Sequence, residues 1–361
     1  AAAADSVADA PVSSPAFTFL LTADMGVGAV YPGQEGSAMD NDPNHAHPGF
    51  PAGIGNGADN VVRGILADPL ADADEFLLVN GDISYARGWP WIWELFFDLV
   101  QPLATRMPLM VGVGNHEVDS HENPFVETSG GDSGGECGVA AAKRFPAHLA
   151  SPTKMWYAFT HGSVHVVQLS TEHPVAEQVA FFKADMAALD RDRVPWLIVS
   201  MHRPIFISES VASAELQRIL VSTWHPLFVE SGVDFVYTGH AHYYERLCAV
   251  DVPDMANTTD LRCSGAAAGG AAAGGAAARD RPVYIVDGSA GAEPDMSSPD
   301  SPLTEYKEFA KWGYSRMFVN GSRSLELRHY AAKIAPDGKS VELPFVVTDS
   351  VRLEGVQNVV V

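Results

Sequence analysis

The stretch FLLVNGDISYARG, residues 76–88, holds the pattern that decides the fold. A short apolar run, Phe76 to Val79, stops at Asn80-Gly81-Asp82, and an apolar run closed by turn residues predicts a buried strand. The same pattern recurs on either side: FTFLLTAD at 17–24, LMVGVGNHE at 109–117, WLIVSMHRP at 196–204 and VDFVYTGHAH at 233–242. Helical spacing fills the gaps at Asn60 to Leu66, Trp91 to Leu103, Glu177 to Leu189 and Glu215 to Val229. Strands alternating with helices predict a layered α/β protein built on a largely parallel sheet.

In such sheets ligands bind beyond the carboxyl ends of the strands. The residues that follow the five runs are Asp24, Asp82 with Tyr85, Asn115 with His116 and Glu117, His202 with Arg203, and His240 with His242. Singly, each has an ordinary explanation, because Gly-Asp and Gly-Asn are common turn dipeptides. Five in succession, all at strand exits, point to one metal site. The donors are three imidazoles (His202, His240, His242), two carboxylates (Asp24, Asp82), one amide (Asn115) and one phenol (Tyr85). A mixed nitrogen and oxygen set without thiolate suits iron, zinc or manganese. Seven donors exceed the needs of one tetrahedral ion, whereas two ions sharing Asp82 use them all and keep open positions.

Composition narrows the partners. The chain has 361 residues, which at roughly 150 per domain suits two domains or one large α/β domain. At 47% hydrophobic and 9% aromatic it can bury a sizeable core. The net charge of −22 opposes nucleic-acid binding, and no apolar run is long enough for a membrane span. The first basic residue is Arg63 and no initiating Met is present, so the chain reads as mature or trimmed. Residues 1–16 read as a linker or remnant, 17–350 as the catalytic domain, 265–278 as an Ala/Gly-rich surface insertion and 351–361 as a tail. The three cysteines form no zinc or redox motif; Cys248 and Cys263 flank a loop and can pair, leaving Cys137 without an evident partner. Asn257 and Asn320 head glycosylation sequons, which matter on a secretory route.

The ordered donor set resembles that of the metallophosphoesterases, and the Tyr of Gly81-Asp82-Ile83-Ser84-Tyr85 is similar to that of purple acid phosphatases. GDISYARG at 81–88, DSGGECGV at 132–139, His202 to Pro204 and Tyr244-Glu245-Arg246 resemble the large plant-type branch. The resemblance, over about residues 17 to 350, implies an α/β/β/α sandwich with mixed, partly parallel sheets. It implies Fe(III) held by Asp24, Asp82, Tyr85 and His242, and a divalent ion (zinc, manganese or iron) held by Asp82, Asn115, His202 and His240. Charge transfer from the Tyr85 phenolate would colour such a protein purple.

The implied activity is hydrolysis of phosphomonoesters at acid pH, with metal-bound hydroxide attacking phosphorus in line. The alternatives are a phosphodiesterase or pyrophosphatase with two divalent ions, and a catalytically silent glycoprotein of the same fold. Asn115, His116 and Arg203 are expected to bind substrate. By resemblance His116 also protonates the leaving alkoxide, the alternative being that it orients Asp82 or solvent. Arg203 suits either a bidentate grip on phosphate or a structural pair. Glu117 is expected to orient the His116 loop, and Glu245 with Arg246 to form an ion pair behind His240. A phosphorylated small molecule is the expected partner, the oligomeric state is open, and the setting is secreted, extracellular or vacuolar.

Departures from the better-known plant enzymes concern the pocket. No room precedes Phe17 for their amino-terminal β-sandwich, and Ile205 to Ala214 lacks their extra histidines, offering Ser208, Glu209 and Ser210 instead. The segment Ala29 to Gly57, with His45 and His47, reads as an exposed loop or a pocket rim.

Overall fold

A computed structural model describes residues 15–27, 57–118, 132–208, 214–252, 261–263, 281–335 and 341–355. The expected linker up to residue 14, His45, His47, Glu209, Ser210, Asn257 and the Ala/Gly insertion lie outside the described residues.

The first half of the chain follows the expected alternation: β1 (Phe17–Thr22), α1 (Gly57–Ala67), β2 (Asp74–Asn80), α2 (Pro90–Ala104), β3 (Leu109–Gly112) and α3 (Val139–Arg144). Next come β4 (Tyr157–His161), β5 (Val164–Gln168), α4 (Val175–Ala188), β6 (Trp196–Ser200), α5 (Ala214–Glu230) and β7 (Phe235–Thr238). From there the described chain is all strand: β8 (Tyr244–Leu247), β9 (Val250–Asp251), β10 (Arg262–Cys263), β11 (Val283–Asp287), β12 (Thr304–Glu308), β13 (Gly313–Asn320), β14 (Ser324–Ile334) and β15 (Val341–Glu354).

Two mixed sheets face each other. One has the order β15-β14-β13-β1-β2-β3, the other β12-β8-β11-β7-β6-β5-β4, and β9 and β10 form a separate ribbon. Each sheet keeps a parallel centre, β1-β2-β3 in one and β5-β6-β7-β11 in the other, so the expected parallel strands are present. Antiparallel strands flank both centres, among them β13 against β1 and β8 against β11.

Side-chain alternation assigns the layers. Phe17, Phe19 and Leu21 of β1 and Trp196 and Ile198 of β6 point between the sheets, whereas Leu20 packs beneath α1 and α2, and Leu197 and Val199 beneath α4 and α5. Strands buried on both faces read as unbroken apolar runs, which is why β1, β2 and β6 were plain in the sequence. The result is an α/β/β/α sandwich.

Two expectations are corrected here. β15 continues through Glu354, with Arg352 opposite Glu326 and Leu353 opposite Leu325, so residues 351–354 belong to the sheet rather than to a tail. Leu353 is buried, and this inward apolar position holds the strand end in register. Glu245 and Arg246 also fail to pair, because neighbours on a strand point to opposite faces. Glu245 turns inward to Ser208 N and Tyr243 Oη, while Arg246 grips Asp349 through Nε (2.7 Å) and Nη2 (3.1 Å).

His225 of α5 is buried, with Nδ1 2.7 Å from Tyr284 Oη. Burial, reinforced by the charge of Arg281, pushes its pKa down to about 4. An imidazole that resists protonation when folded, but titrates near its ordinary value of about 6.5 when unfolded, stabilises the fold above that pH and loses this contribution as pH falls. Thermal unfolding is therefore expected to move to lower temperature between about pH 6.5 and about 4, and His225→Gln is expected to flatten that part of the profile.

Candidate metal centre

The carboxyl ends of β1, β2, β3, β6 and β7 meet at one end of the sandwich, and the loops leaving them bring all seven expected donors together. Tyr85 Oη donates to Asp24 Oδ1 at 3.0 Å and lies 2.9 Å from His242 Nε2. His202 Nε2 lies 3.1 Å from Asp82 Oδ2 and 3.2 Å from Asn115 Oδ1. Ligand atoms of Asp82, His202 and His240 fall within 4.8 Å of one another. The two halves are contiguous, since His202 Nε2 is 4.0 Å from Asp24 Oδ1 and His242 Nε2 is 3.6 Å from the same oxygen.

The backbone is bent to make this possible. Asp24 (φ 59°), Asp82 (φ 47°), Tyr85 (φ 53°) and His240 (φ 71°) all occupy the left-handed region. Such residues cost about 1–3 kcal/mol each and collect at functional sites. Gly114 permits the closest approach, because a Cβ there would lie 2.3 Å from Asp82 Oδ1 and 2.6 Å from His202 Nε2.

Charge and tautomer suit cations. His202 Nδ1 lies 3.0 Å from the Asn80 carbonyl and His242 Nδ1 2.9 Å from that of Glu293. A carbonyl only accepts, so each Nδ1 carries its proton and Nε2 faces the oxygens of the site. Burial opposes charge on these rings, yet Asp82 and Asp24 outweigh it and push His202 up to about 10, and Asp24 pushes His242 up to about 9. Burial likewise acts to raise Asp82, but His202 and His116 hold it well below the usual carboxylate range. Oxygen atoms crowded around nitrogen lone pairs demand positive charge, which protons or metal ions can supply. The donor set therefore fits the two implied ions.

Neighbouring groups hold these donors. Glu117, fully buried, accepts from Asp82 N (2.9 Å), Ile83 N (2.8 Å) and Gly114 N (2.9 Å), tying the β2 and β3 loops together. His116 donates its backbone N–H to Asp82 Oδ1 at 2.9 Å, and its Nε2 is 3.8 Å from Asp82 Oδ2. Its ring stacks obliquely on Tyr85, centroids 4.4 Å apart. Arg203 donates through Nε (2.9 Å) and Nη2 (3.4 Å) to Glu172, and Nη1 is 3.1 Å from His240 Nε2.

Three contributors were not singled out in the sequence. Glu172 leaves β5, and the loop after β11 secures the Asp24 turn through Ala290 N to Ala23 O (3.3 Å) and Ala292 N to Asp24 O (2.8 Å). Both follow strand-like runs, VHVVQL at 164–169 and VYIV at 283–286, and the strand-exit rule applied to those runs would have found them. Asn80, the last residue of β2, is the third; the sequence marks it as the end of the run but not its amide's contacts with the other sheet. Away from the site, Cys248 and Cys263 form a disulfide, Cys137 is exposed, and Asn320 is exposed at the β13–β14 turn.

Residues 17–244 match the calcineurin-like phosphoesterases, and the chain belongs to that family. Within it, the chain is of the plant purple acid phosphatase type. "Probable inactive purple acid phosphatase 9" of Arabidopsis thaliana is 32% identical over 298 residues, covering 73% of this chain and 43% of that protein. A "nucleotide pyrophosphatase/phosphodiesterase" of Hordeum vulgare is 27% identical, covering 75% of this chain and 72% of its own length. Purple acid phosphatase PPD1 from yellow lupin (Lupinus luteus) seeds shares the fold, with a TM-score of 0.72 at 22% identity over 96% of this chain and 55% of that one. Against four Arabidopsis relatives the chain spans between 32% and 46% of their length.

Glu117→Ala leaves three buried N–H groups without their acceptor. At about 1–3 kcal/mol for each unsatisfied group, thermal unfolding is expected to drop by several degrees or more, with metal uptake impaired in the protein that remains folded.

Proposed function

We propose that this chain hydrolyses phosphomonoesters, preferentially at acid pH, at a dinuclear centre. The observation that carries this is the convergence of seven donors, drawn from five strand exits, at one end of the sandwich, with Asp82, His202 and His240 grouped within 4.8 Å and Asp24, Tyr85 and His242 in contact beside them. Asp24, Asp82, Tyr85 and His242 would hold Fe(III); Asp82, Asn115, His202 and His240 would hold zinc, manganese or iron. When bound, the pair supplies Lewis acidity toward the phosphoryl oxygens and lowers the pKa of coordinated water. The phenol of Tyr85 suits the ferric position, because a hard trivalent cation favours the phenolate.

The protein's own groups orient substrate and move the proton. His116 has Nδ1 2.9 Å from the Asp132 carbonyl, so the transferable proton sits on Nε2, which faces the site. An imidazolium there suits protonation of a leaving alkoxide, in keeping with acid pH. Arg203, with two nitrogens on Glu172, supports the substrate side mainly through its charge. The donor set speaks against the silent reading suggested by relatives named "probable inactive", since no expected ligand is replaced by an inert residue. The Hordeum relative favours a second reading, cleavage of nucleotide pyrophosphates or diesters by the same centre.

A secreted, extracellular or vacuolar setting is supported by the disulfide and by the exposed Asn320 sequon. Among the described residues no helix is long and apolar enough to cross a membrane.

Metal analysis of the folded protein is expected to give two ions per chain and a visible absorption band that Tyr85→Phe abolishes. Two ions without a band would remove the ferric assignment and leave the hydrolase. His116→Ala is expected to slow alkyl phosphate hydrolysis by about 10²–10⁴-fold and aryl phosphate hydrolysis much less, since a good leaving group needs little protonation. Faster turnover of bis-aryl than of aryl phosphate would replace the monoesterase reading with the diesterase one.

A further inference from the structure

The motif DSGGECGV at 132–139 lies beside the metal centre but supplies none of the seven donors. Its segment is fixed at three points. Gly134, at φ 59°, packs so tightly on the β2 loop that a Cβ would lie 2.0 Å from the Arg87 carbonyl. Glu136 accepts from Trp93 Nε1 at 3.0 Å, and Gly138 N donates to the Glu117 carbonyl at 2.7 Å. The last contact joins the segment to the residue that ties the β2 and β3 loops together.

Asp132 heads this anchored segment and touches two functional side chains in different ways. Its carboxylate Oδ2 accepts from Asn115 Nδ2 at 3.1 Å, and its main-chain carbonyl faces His116 Nδ1 at 2.9 Å. A primary amide has a donor end and an acceptor end, and rotating it by half a turn exchanges them. A carboxylate can only accept, so Asp132 draws the NH2 end of Asn115 and leaves Oδ1 facing His202 Nε2, 3.2 Å away. Reversed, Asn115 would aim two N–H groups at the cation position and repel an ion.

We propose that Asp132 is a positioning residue: its side chain fixes the Asn115 amide with oxygen toward the divalent ion, while its carbonyl fixes His116 with Nε2 toward substrate. One residue thus sets the orientation of a cation ligand and of the group proposed to protonate the leaving alkoxide. The inference rests on the dinuclear reading above and assigns a task to a motif outside the ligand set.

The test is titration of zinc(II) into metal-stripped protein against a fluorescent chelator, with thermal unfolding of each variant in parallel. Asp132→Ala and Asp132→Leu both remove the acceptor, the second at similar side-chain length. Each is expected to weaken one of the two zinc equivalents by about 10- to 100-fold and leave the other unchanged. Asp132→Asn keeps an oxygen that can accept from Asn115 Nδ2, and is expected to restore binding close to wild type. Alkyl-to-aryl phosphate rate ratios at saturating zinc are expected to be unchanged in all three, because the main-chain carbonyl remains. Wild-type affinity in Asp132→Ala and Asp132→Leu overturns the proposal. Weak binding by Asp132→Asn also overturns it, since charge rather than amide orientation would then be at work. Wild-type protein that takes up fewer than two zinc ions defeats the dinuclear reading itself.

Discussion

Everything at the metal centre depends on how one buried amide joins the two sheets. Asn80, the last residue of β2, sends Nδ2 across to the Met201 carbonyl at 2.8 Å and receives Gln168 Nε2 at 3.0 Å. Its own carbonyl meets His202 Nδ1. The residue just before Gly81-Asp82 therefore holds the strand exits of β5 and β6 on the opposite sheet. Asp24, Asp82, Tyr85 and Asn115 come from one sheet and His202, His240 and His242 from the other, so no ligand set exists unless the two are held in register. Hydrophobic packing between the sheets gives cohesion without direction, whereas hydrogen bonds fix position to tenths of an ångström.

A second constraint is electrostatic. A chain with net charge −22 places two fully buried carboxylates, Asp24 and Asp82, side by side. Left alone they would repel each other and any phosphate. Imidazoles pushed toward their charged forms offset part of that repulsion, and Glu117 adds a further buried acid whose pKa burial and Asp82 push up to about 8, against its backbone donors. The left-handed backbone at four donor positions points the same way, since the fold accepts local strain to crowd anionic oxygen around one point. Cation binding relieves that crowding, which is why the donor set makes chemical sense only with positive charge among it.

Much of this was legible in the sequence because strand exits are local signals. A run such as Trp196 to Ser200 followed by Met201-His202-Arg203 declares both its burial and its polar end within eight residues. The antiparallel half was not legible, because β8, β12 and β13 carry charged or aromatic residues whose partners lie far away. Arg316 of β13, for example, is fully buried against Asp74 and Asp68. The same limit applied to Glu245 and Arg246, where adjacency suggested a pair and strand alternation separated them. The roles of Asn80 and Gln168 were hidden because Asn80 reads as a turn residue closing its run and Gln168 as an ordinary strand residue, whereas their importance comes from sheet-to-sheet contact. Arg203 was open between two roles, and its partner Glu172, on a loop from another strand, was not visible from the local sequence.

The place of β1 has a consequence for how the chain comes into being. β1 carries Asp24 at its exit, and its neighbours are β2, from the same part of the chain, and β13, where Phe17 sits opposite Val319. β13 is made long after β1, so β1 waits with one apolar edge open until that distant strand is available. Loop-closure entropy makes such long-range pairing slow, and an open strand edge invites contact with other chains. Correct assembly of this centre is thus a matter of keeping the edge of β1 open until the distant strand arrives, a demand met while the chain folds rather than in the finished fold.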